Sequence, residues 1–254
     1  GSALNNWGDK YTDRQLTGTS QKIASKLVLT DTLVYKKDSV ALYDKAFRIQ
    51  KEDGKVVKTV DYPLYFRNVA KEKLPKDDEK VFTWSSNLSQ SINPFWVIAL
   101  TPLVVAFFTY LRQRKKEPST PTKIAFGLFI SALSVLVMVL AVKAGNNGSE
   151  KVSVLWLFAN YGVITIGELL LSPMGLSVVS KLSPRNITSL MMGGWFLATS
   201  IGNKLSGVLA SMWDKYDDKA NFFWVNFALL LFATMLMFAL LKQLNKVMKE
   251  KGIN

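Results

Sequence analysis

The chain contains no cysteine and no histidine. The first absence excludes disulfides, thiolate metal sites and cysteine nucleophiles. The second removes the commonest general base, proton shuttle and metal ligand. No Ser-His-Asp triad and no metal-binding constellation can be assembled, so the sequence does not read as an enzyme and asks for no cofactor. It also opens at Gly1-Ser2-Ala3-Leu4, without an initiating Met or a signal peptide, which points to a piece of a larger protein. Charge is missing from two long stretches: residues 124–142 and 222–241 hold no Asp, Glu, Lys or Arg. Roughly 20 apolar residues in a helix are enough to cross the hydrocarbon core of a bilayer.

What is present falls into two parts. Residues 1–84 are polar and charge-rich, whereas residues 85–254 are dominated by apolar runs. Three further candidate spans lie at 90–111, 152–179 and 189–212, so five helices are expected to cross the membrane. In the polar part, residues 15–25 are rich in Ser, Thr, Gly, Gln and Lys and read as a linker. Short β-like runs follow at 27–29, 33–35, 40–43 and 46–49. Glu52-Asp53-Gly54-Lys55 predicts a two-residue type I′ hairpin, with residues 56–60 as the returning strand. Tyr65-Phe66 and Phe82-Thr83-Trp84 are further strand candidates, and 74–79 reads as a turn or loop. The expected architecture is an all-α membrane bundle carrying a small β-rich domain, near the lower size limit for independent folding.

A net charge of +13 could suggest nucleic acid binding, but its distribution argues for a membrane instead. Between the apolar runs, residues 112–123 carry net +4, 181–185 carry +2 and 242–251 carry +3. The alternating connectors, 143–151 and 214–219, carry +1 and −1. One membrane face therefore has +9 and the other 0, the positive-inside bias. This places residues 112–123, 181–185 and the C-terminus in the cytoplasm, and the N-terminal part outside. The net +4 of residues 1–84 is compatible with that, because long translocated domains do not obey the charge rule.

Glu168 is the residue that most needs a reason. It sits within the 152–179 run, in Gly167-Glu168-Leu169-Leu170-Leu171-Ser172-Pro173. An ionisable group at membrane depth costs roughly 3 kcal/mol on insertion scales, and such groups mark transport paths or proton relays. The plainer alternative is an acid paired with Lys204 to hold two helices together. Ser172 is four residues on and shares the face of Glu168. Pro173 cannot donate its backbone hydrogen bond, so it breaks the helix beside this polar pair, as happens at transporter substrate sites. In the next run, Trp195, Thr199 and either Gly202 or Asn203 share a face, while Gly193, Gly194, Gly202 and Gly207 permit close helix approach. Trp195 reads either as a cavity aromatic or as a packing and interface residue. Asn93-Pro94 opens the 90–111 helix, where Pro is tolerated and Asn93 can offer an amide to a cavity. Pro102 predicts a kink.

These motifs resemble those of the proton-coupled oligopeptide transporters, which have the major facilitator fold. Residues 167–177 with Lys181-Leu182-Ser183-Pro184 resemble the family's tenth helix, and Met191-Met192-Gly193-Gly194-Trp195-Phe196-Leu197 with Gly202-Asn203-Lys204-Leu205-Ser206-Gly207 its eleventh. Gln90-Ser91-Ile92-Asn93-Pro94 resembles the start of the eighth, Glu117-Pro118-Ser119-Thr120-Pro121-Thr122-Lys123 the loop into the ninth, and residues 1–14 the outer end of the seventh. The resemblance implies the C-terminal helical half of that fold: 1–14 from helix seven, 15–84 an extracytoplasmic β-rich insert, and 85–254 helices eight to twelve. It departs from the family in this insert, in the missing start of helix seven with its proton-coupling acid, and in the absent N-terminal half. It further implies di- and tripeptides as cargo and protons as the coupling ion, with no nucleic acid partner. Glu168 would bind the peptide α-ammonium, Asn93 would contact the peptide N-terminal end, and Trp195 and Ser172 would line the pocket. A membrane-anchored binding or sensor protein acting through the β-rich domain remains open, as does a transporter of another amine or an anion.

Overall fold

The computed structural model describes residues 2–26, 29–44, 47–184 and 186–250. The chain divides into two compact units. The first comprises residues 1–92, 140–158 and 210–220, and the second 93–139, 159–209 and 221–254.

In the first unit, α1 (Ser2–Lys10) leads into β1 (Thr12–Asp13), which pairs in parallel with β8 (Val152–Ser153). Aromatic rings build the core here. Tyr11 stacks on Trp7 at 4.7 Å between centroids, and its ring also meets Phe47 at 5.1 Å and Trp213 at 6.3 Å. Gly148 has φ +86°, and a Cβ there would collide with the Tyr11 ring, so the close approach requires glycine. The insert then folds as paired strands: β2 (Thr30–Val34) with β7 (Lys80–Trp84), β3 (Asp38–Ala41) with β6 (Lys58–Asp61), and β4 (Lys51–Glu52) with β5 (Lys55–Val56), all antiparallel. Asp53 and Gly54 both have positive φ, 49° and 75°, as the expected type I′ turn demands. Tyr65, Phe66 and Val81 form a small core, flanked by Leu33, Tyr35, Val69 and Leu74.

Two expectations change. The 15–25 linker instead contains a helix, α2 (Gly18–Lys26), whose Gln, Lys and Ala are good helix formers despite its polar composition. Tyr65-Phe66 lies in a 3-10 turn, Leu64–Phe66, rather than a strand, and uses its rings as core. The runs expected at 27–29 and 46–49 fall partly on residues 27, 28 and 46, outside the described residues.

The remaining helices are α3 (Ile92–Gln113), α4 (Thr120–Ala144), α5 (Leu155–Leu182), α6 (Thr188–Ser211) and α7 (Lys219–Glu250). Among the described residues, four helical stretches are long and apolar enough to cross a membrane: Leu88–Gln113, Thr120–Ala144, Leu155–Leu182 and Lys219–Glu250. The fifth expected span forms as α6 but falls outside that set; its Gly, Ser, Thr, Asn and Lys residues dilute the apolar surface. In the second unit, α4 and α5 cross at two glycines. A Cβ on Gly127 would lie 3.0 Å from the Gly167 carbonyl, and one on Gly167 would lie 2.8 Å from the Gly127 carbonyl. Small residues at such a crossing let backbones approach closely, the usual device of membrane bundles. α4 also meets α7 through Phe126 against Phe238, and the hydroxyl of Ser119, the residue before α4, donates to Asn245 Oδ1 at 2.6 Å.

Candidate functional site

The crossing at Gly167 fixes the next residue, Glu168, on the α5 face that carries Tyr161, Thr165, Ser172 and Gly175. These five positions follow i, i+4, i+7, i+11 and i+14, so they form one stripe along the helix. Asn93 reaches this stripe from the first turn of α3. Its Nδ2 donates to Glu168 Oε2 at 3.2 Å, and its Oδ1 accepts from the Thr165 hydroxyl at 3.2 Å. Thr165 is completely buried and its Oγ1 also lies 2.7 Å from the Tyr161 carbonyl. A primary amide has a donor end and an acceptor end. Thr165 engages the acceptor end, which turns the donor end toward the carboxylate.

The alternative of a helix-pairing acid would need a base beside Glu168. Lys204 is exposed, and among the described residues no ion pair joins it, or any other base, to Glu168. The carboxylate therefore keeps acceptor capacity that Asn93 alone does not fill.

Trp195 projects from α6 onto α5 one stripe position beyond Ser172. A Cβ on Gly175 would overlap the six-membered ring of Trp195, so glycine creates the seat for the indole. Ser172 is exposed on the same stripe. The structure thus brings Asn93 and Glu168 into direct contact and places Ser172 and Trp195 further along one helix face. The helix break expected at Pro173 does not occur: α5 runs through it from Leu155 to Leu182. Sequence reasoning missed Thr165, whose signal was its position one turn before Glu168. It also missed Trp96, which packs against Gly162 at 3.1 Å from where a Cβ would stand.

Comparison with known proteins bears on this arrangement. "Uncharacterized transporter YclF" of Bacillus subtilis (strain 168) is 33% identical over 141 residues, 56% of this chain and 28% of the relative. "Dipeptide and tripeptide permease A" of Proteus mirabilis (strain HI4320) is 35% identical over 132 residues, 52% of this chain and 26% of the relative. The chain therefore matches only about a quarter of the length of these relatives. Among solved structures, a mutant of peptide transporter POT superposes with a TM-score of 0.58 at 26% identity, covering 65% of this chain and 32% of that one. A POT family transporter in complex with 5-aminolevulinic acid gives a TM-score of 0.62 over 95% of this chain and 37% of that one; at 21% identity it bears on the fold alone. The family described as PTR2, POT family, matches residues 77–225, more than half of the sequence and all of the Asn93, Glu168 and Trp195 region. The chain belongs to the POT family of membrane transporters, with the helical architecture of that family and a small β-rich insert added to it.

Proposed function

We propose that this chain is the C-terminal part of a transporter driving the uptake of di- and tripeptides with protons across the cell (inner) membrane, and that Glu168 receives the peptide's α-ammonium group. One observation carries the reading: an acid within a membrane-crossing helix has an amide ligand, Asn93, and no basic partner among the described residues. A carboxylate at that depth calls for a cation or a proton. A peptide amine supplies that cation. Low local dielectric strengthens the attraction between carboxylate and ammonium. Asn93 orients the carboxylate, Trp195 closes one wall, and Ser172 offers a hydroxyl to the peptide backbone. The N-terminal half of the transporter would supply the remaining walls and the groups that hold the peptide carboxylate.

Residues 15–84 lie outside the cell in this reading, with the C-terminus inside. The charge asymmetry of the connecting loops supports it. So does the first unit, where the insert meets both connectors assigned to the outer face: Arg48 contacts Asp217 at 3.2 Å, and Asn68 Nδ2 donates to Gly148 O at 3.2 Å.

The test is uptake of a radiolabelled dipeptide into vesicles holding the intact transporter, driven by an imposed pH gradient. Glu168→Gln preserves shape and removes the charge, and is expected to abolish gradient-driven accumulation with insertion unchanged. Accumulation at the wild-type rate would overturn the assignment.

A further inference from the structure

A second site lies at the other end of α5. A concave cavity of about 1000 Å³ is enclosed by the ends of α3, α4, α5 and α7. Its walls carry five bases, Arg112, Lys115, Lys123, Lys181 and Lys249, against one acid, Glu117. Glu117 is already satisfied. Arg112 Nε lies 2.7 Å from it and Lys123 Nζ 2.5 Å, and these two hydrogen-bonded cations hold its carboxyl down at about 2. Lys123 is buried beneath the rim, with its ammonium 4.5 Å from the centre of the Phe108 ring. Lys115, Lys181 and Lys249 are exposed, and no ion pair is formed by any of them among the described residues. The floor is apolar, made by Pro173, Met174 and buried Met248.

This cavity is separate from the Glu168 site. At 100° per residue, Met174, Ser177 and Lys181 fall between about 180° and 240° around α5 from Glu168, on the opposite face. The four helices that line it are the four with membrane-crossing character, and the cavity lies toward one end of them; in the membrane-spanning reading that is where hydrocarbon gives way to headgroups. Free anions are not concentrated there, but phospholipids are. The volume also lies in the range of pockets that hold a drug-sized ligand, far more room than one phosphate ion occupies.

We propose that this cavity is a binding site for the headgroup of an anionic phospholipid: the phosphate and glycerol enter among Lys115, Lys181 and Lys249, and the first acyl carbons lie on Met174 and Met248. Basic pockets between helices at a membrane face are suited to such headgroups. The Glu117–Lys123 pair, with its lysine buried, then acts as the back wall, and Ser119, the residue before α4, bonds Asn245 of α7 beside it at 2.6 Å. The inference rests on the membrane-spanning reading of these helices, and not on Glu168 as the peptide site.

The experiment is native mass spectrometry of the intact transporter titrated in detergent with phosphatidylglycerol, and separately with phosphatidylcholine. Wild type is compared with the triple variant Lys115→Gln, Lys181→Gln, Lys249→Gln and with the same triple changed to Arg. Lys123, Arg112 and Glu117 are left intact because they hold the wall together. The glutamine triple is expected to lose at least about tenfold in phosphatidylglycerol retention and none in phosphatidylcholine retention, while the arginine triple retains phosphatidylglycerol. Dipeptide binding reports folding in the lysine variants and thermal unfolding reports it in Glu168→Gln, which is expected to keep its phosphatidylglycerol and so separates the two sites. Equal phosphatidylglycerol retention by wild type and a folded glutamine triple overturns the proposal. So does displacement of the lipid by millimolar inorganic phosphate, since the ligand is then a free anion. Should the glutamine triple fail to bind dipeptide, Lys249→Gln alone is titrated against the same two criteria, with a smaller but selective loss expected.

Discussion

Glu168 and Asn93 were both legible as residues that needed an explanation: an acid and an amide in stretches otherwise fit for lipid. Their contact was not legible, because it joins positions 75 apart and depends on where two helices cross. Thr165 illustrates the limit. A threonine in an apolar run is unremarkable in sequence, and only the packed structure shows that it orients Asn93. Lys151 is a second residue that sequence reading passed over. Its ammonium lies 4.0 Å above the Tyr65 ring and within 3.3 Å of the Lys10 and Thr12 carbonyls. Burial, with the Arg14 charge adding to it, pushes its pKa down to about 7. The unfolded chain therefore binds more protons than the fold between pH 7 and the ordinary lysine range, so stability rises with pH across that window. Below pH 7 both states are charged and the cost of burying the ammonium is fully present. Thermal unfolding of the intact protein is expected to show a larger gain from pH 7 to pH 9 for wild type than for Lys151→Met. Identical pH dependence in the two would remove the buried ammonium from the account.

At the scale of elements, periodicity and turn chemistry carried most of the information. The uncharged runs became α4 and α7, and Asp53-Gly54 became a turn with two positive φ angles, because each signal is local. The linker that became α2 and the aromatic pair that became a 3-10 turn failed for the opposite reason, since tertiary context decided between weak local preferences. The seat of Trp195 on α5 also belongs to this scale. Gly175 permits it by having no side chain, so Gly175→Ala must displace the indole or separate α5 from α6. Overpacking of this kind typically costs about 1–3 kcal/mol. The variant is expected to weaken dipeptide binding by about fivefold or more, and Trp195→Phe, with its smaller ring, to recover part of that loss in the double variant. Wild-type affinity in Gly175→Ala would mean that Trp195 plays no part in the pocket.

At the scale of the whole molecule, the loop charges provided an orientation that no single helix could. The alternation of +4, +1, +2, −1 and +3 along the connectors is a property of the chain as a threaded object. These 254 residues contain no cysteine, so an intact transporter made cysteine-free elsewhere can test that orientation. Single cysteines at Ser39 and Asn254 are introduced into the intact transporter, and intact cells are treated with an impermeant thiol reagent. Labelling is expected at position 39 with protection at 254, and the reverse pattern would invert the topology. What the sequence did not disclose is how the insert is tied down. Its contacts run through Arg48 to Asp217 and through Asn68 Nδ2 to the Gly148 and Lys10 carbonyls, partners that lie up to 169 positions away.

The account stands or falls on Glu168 as the receiver of the peptide amine. The most direct measurement is calorimetric binding of a dipeptide with a free N-terminus and of its N-acetylated counterpart to purified intact transporter, wild type and Glu168→Gln. A charge-assisted hydrogen bond to a buried partner contributes about 1.5–3 kcal/mol, so the free dipeptide is expected to bind the variant about 10- to 150-fold more weakly. The acetylated dipeptide, having no ammonium to offer, is expected to bind both proteins equally poorly. If Glu168→Gln binds the free dipeptide as tightly as wild type does, the carboxylate is structural and the central claim is wrong.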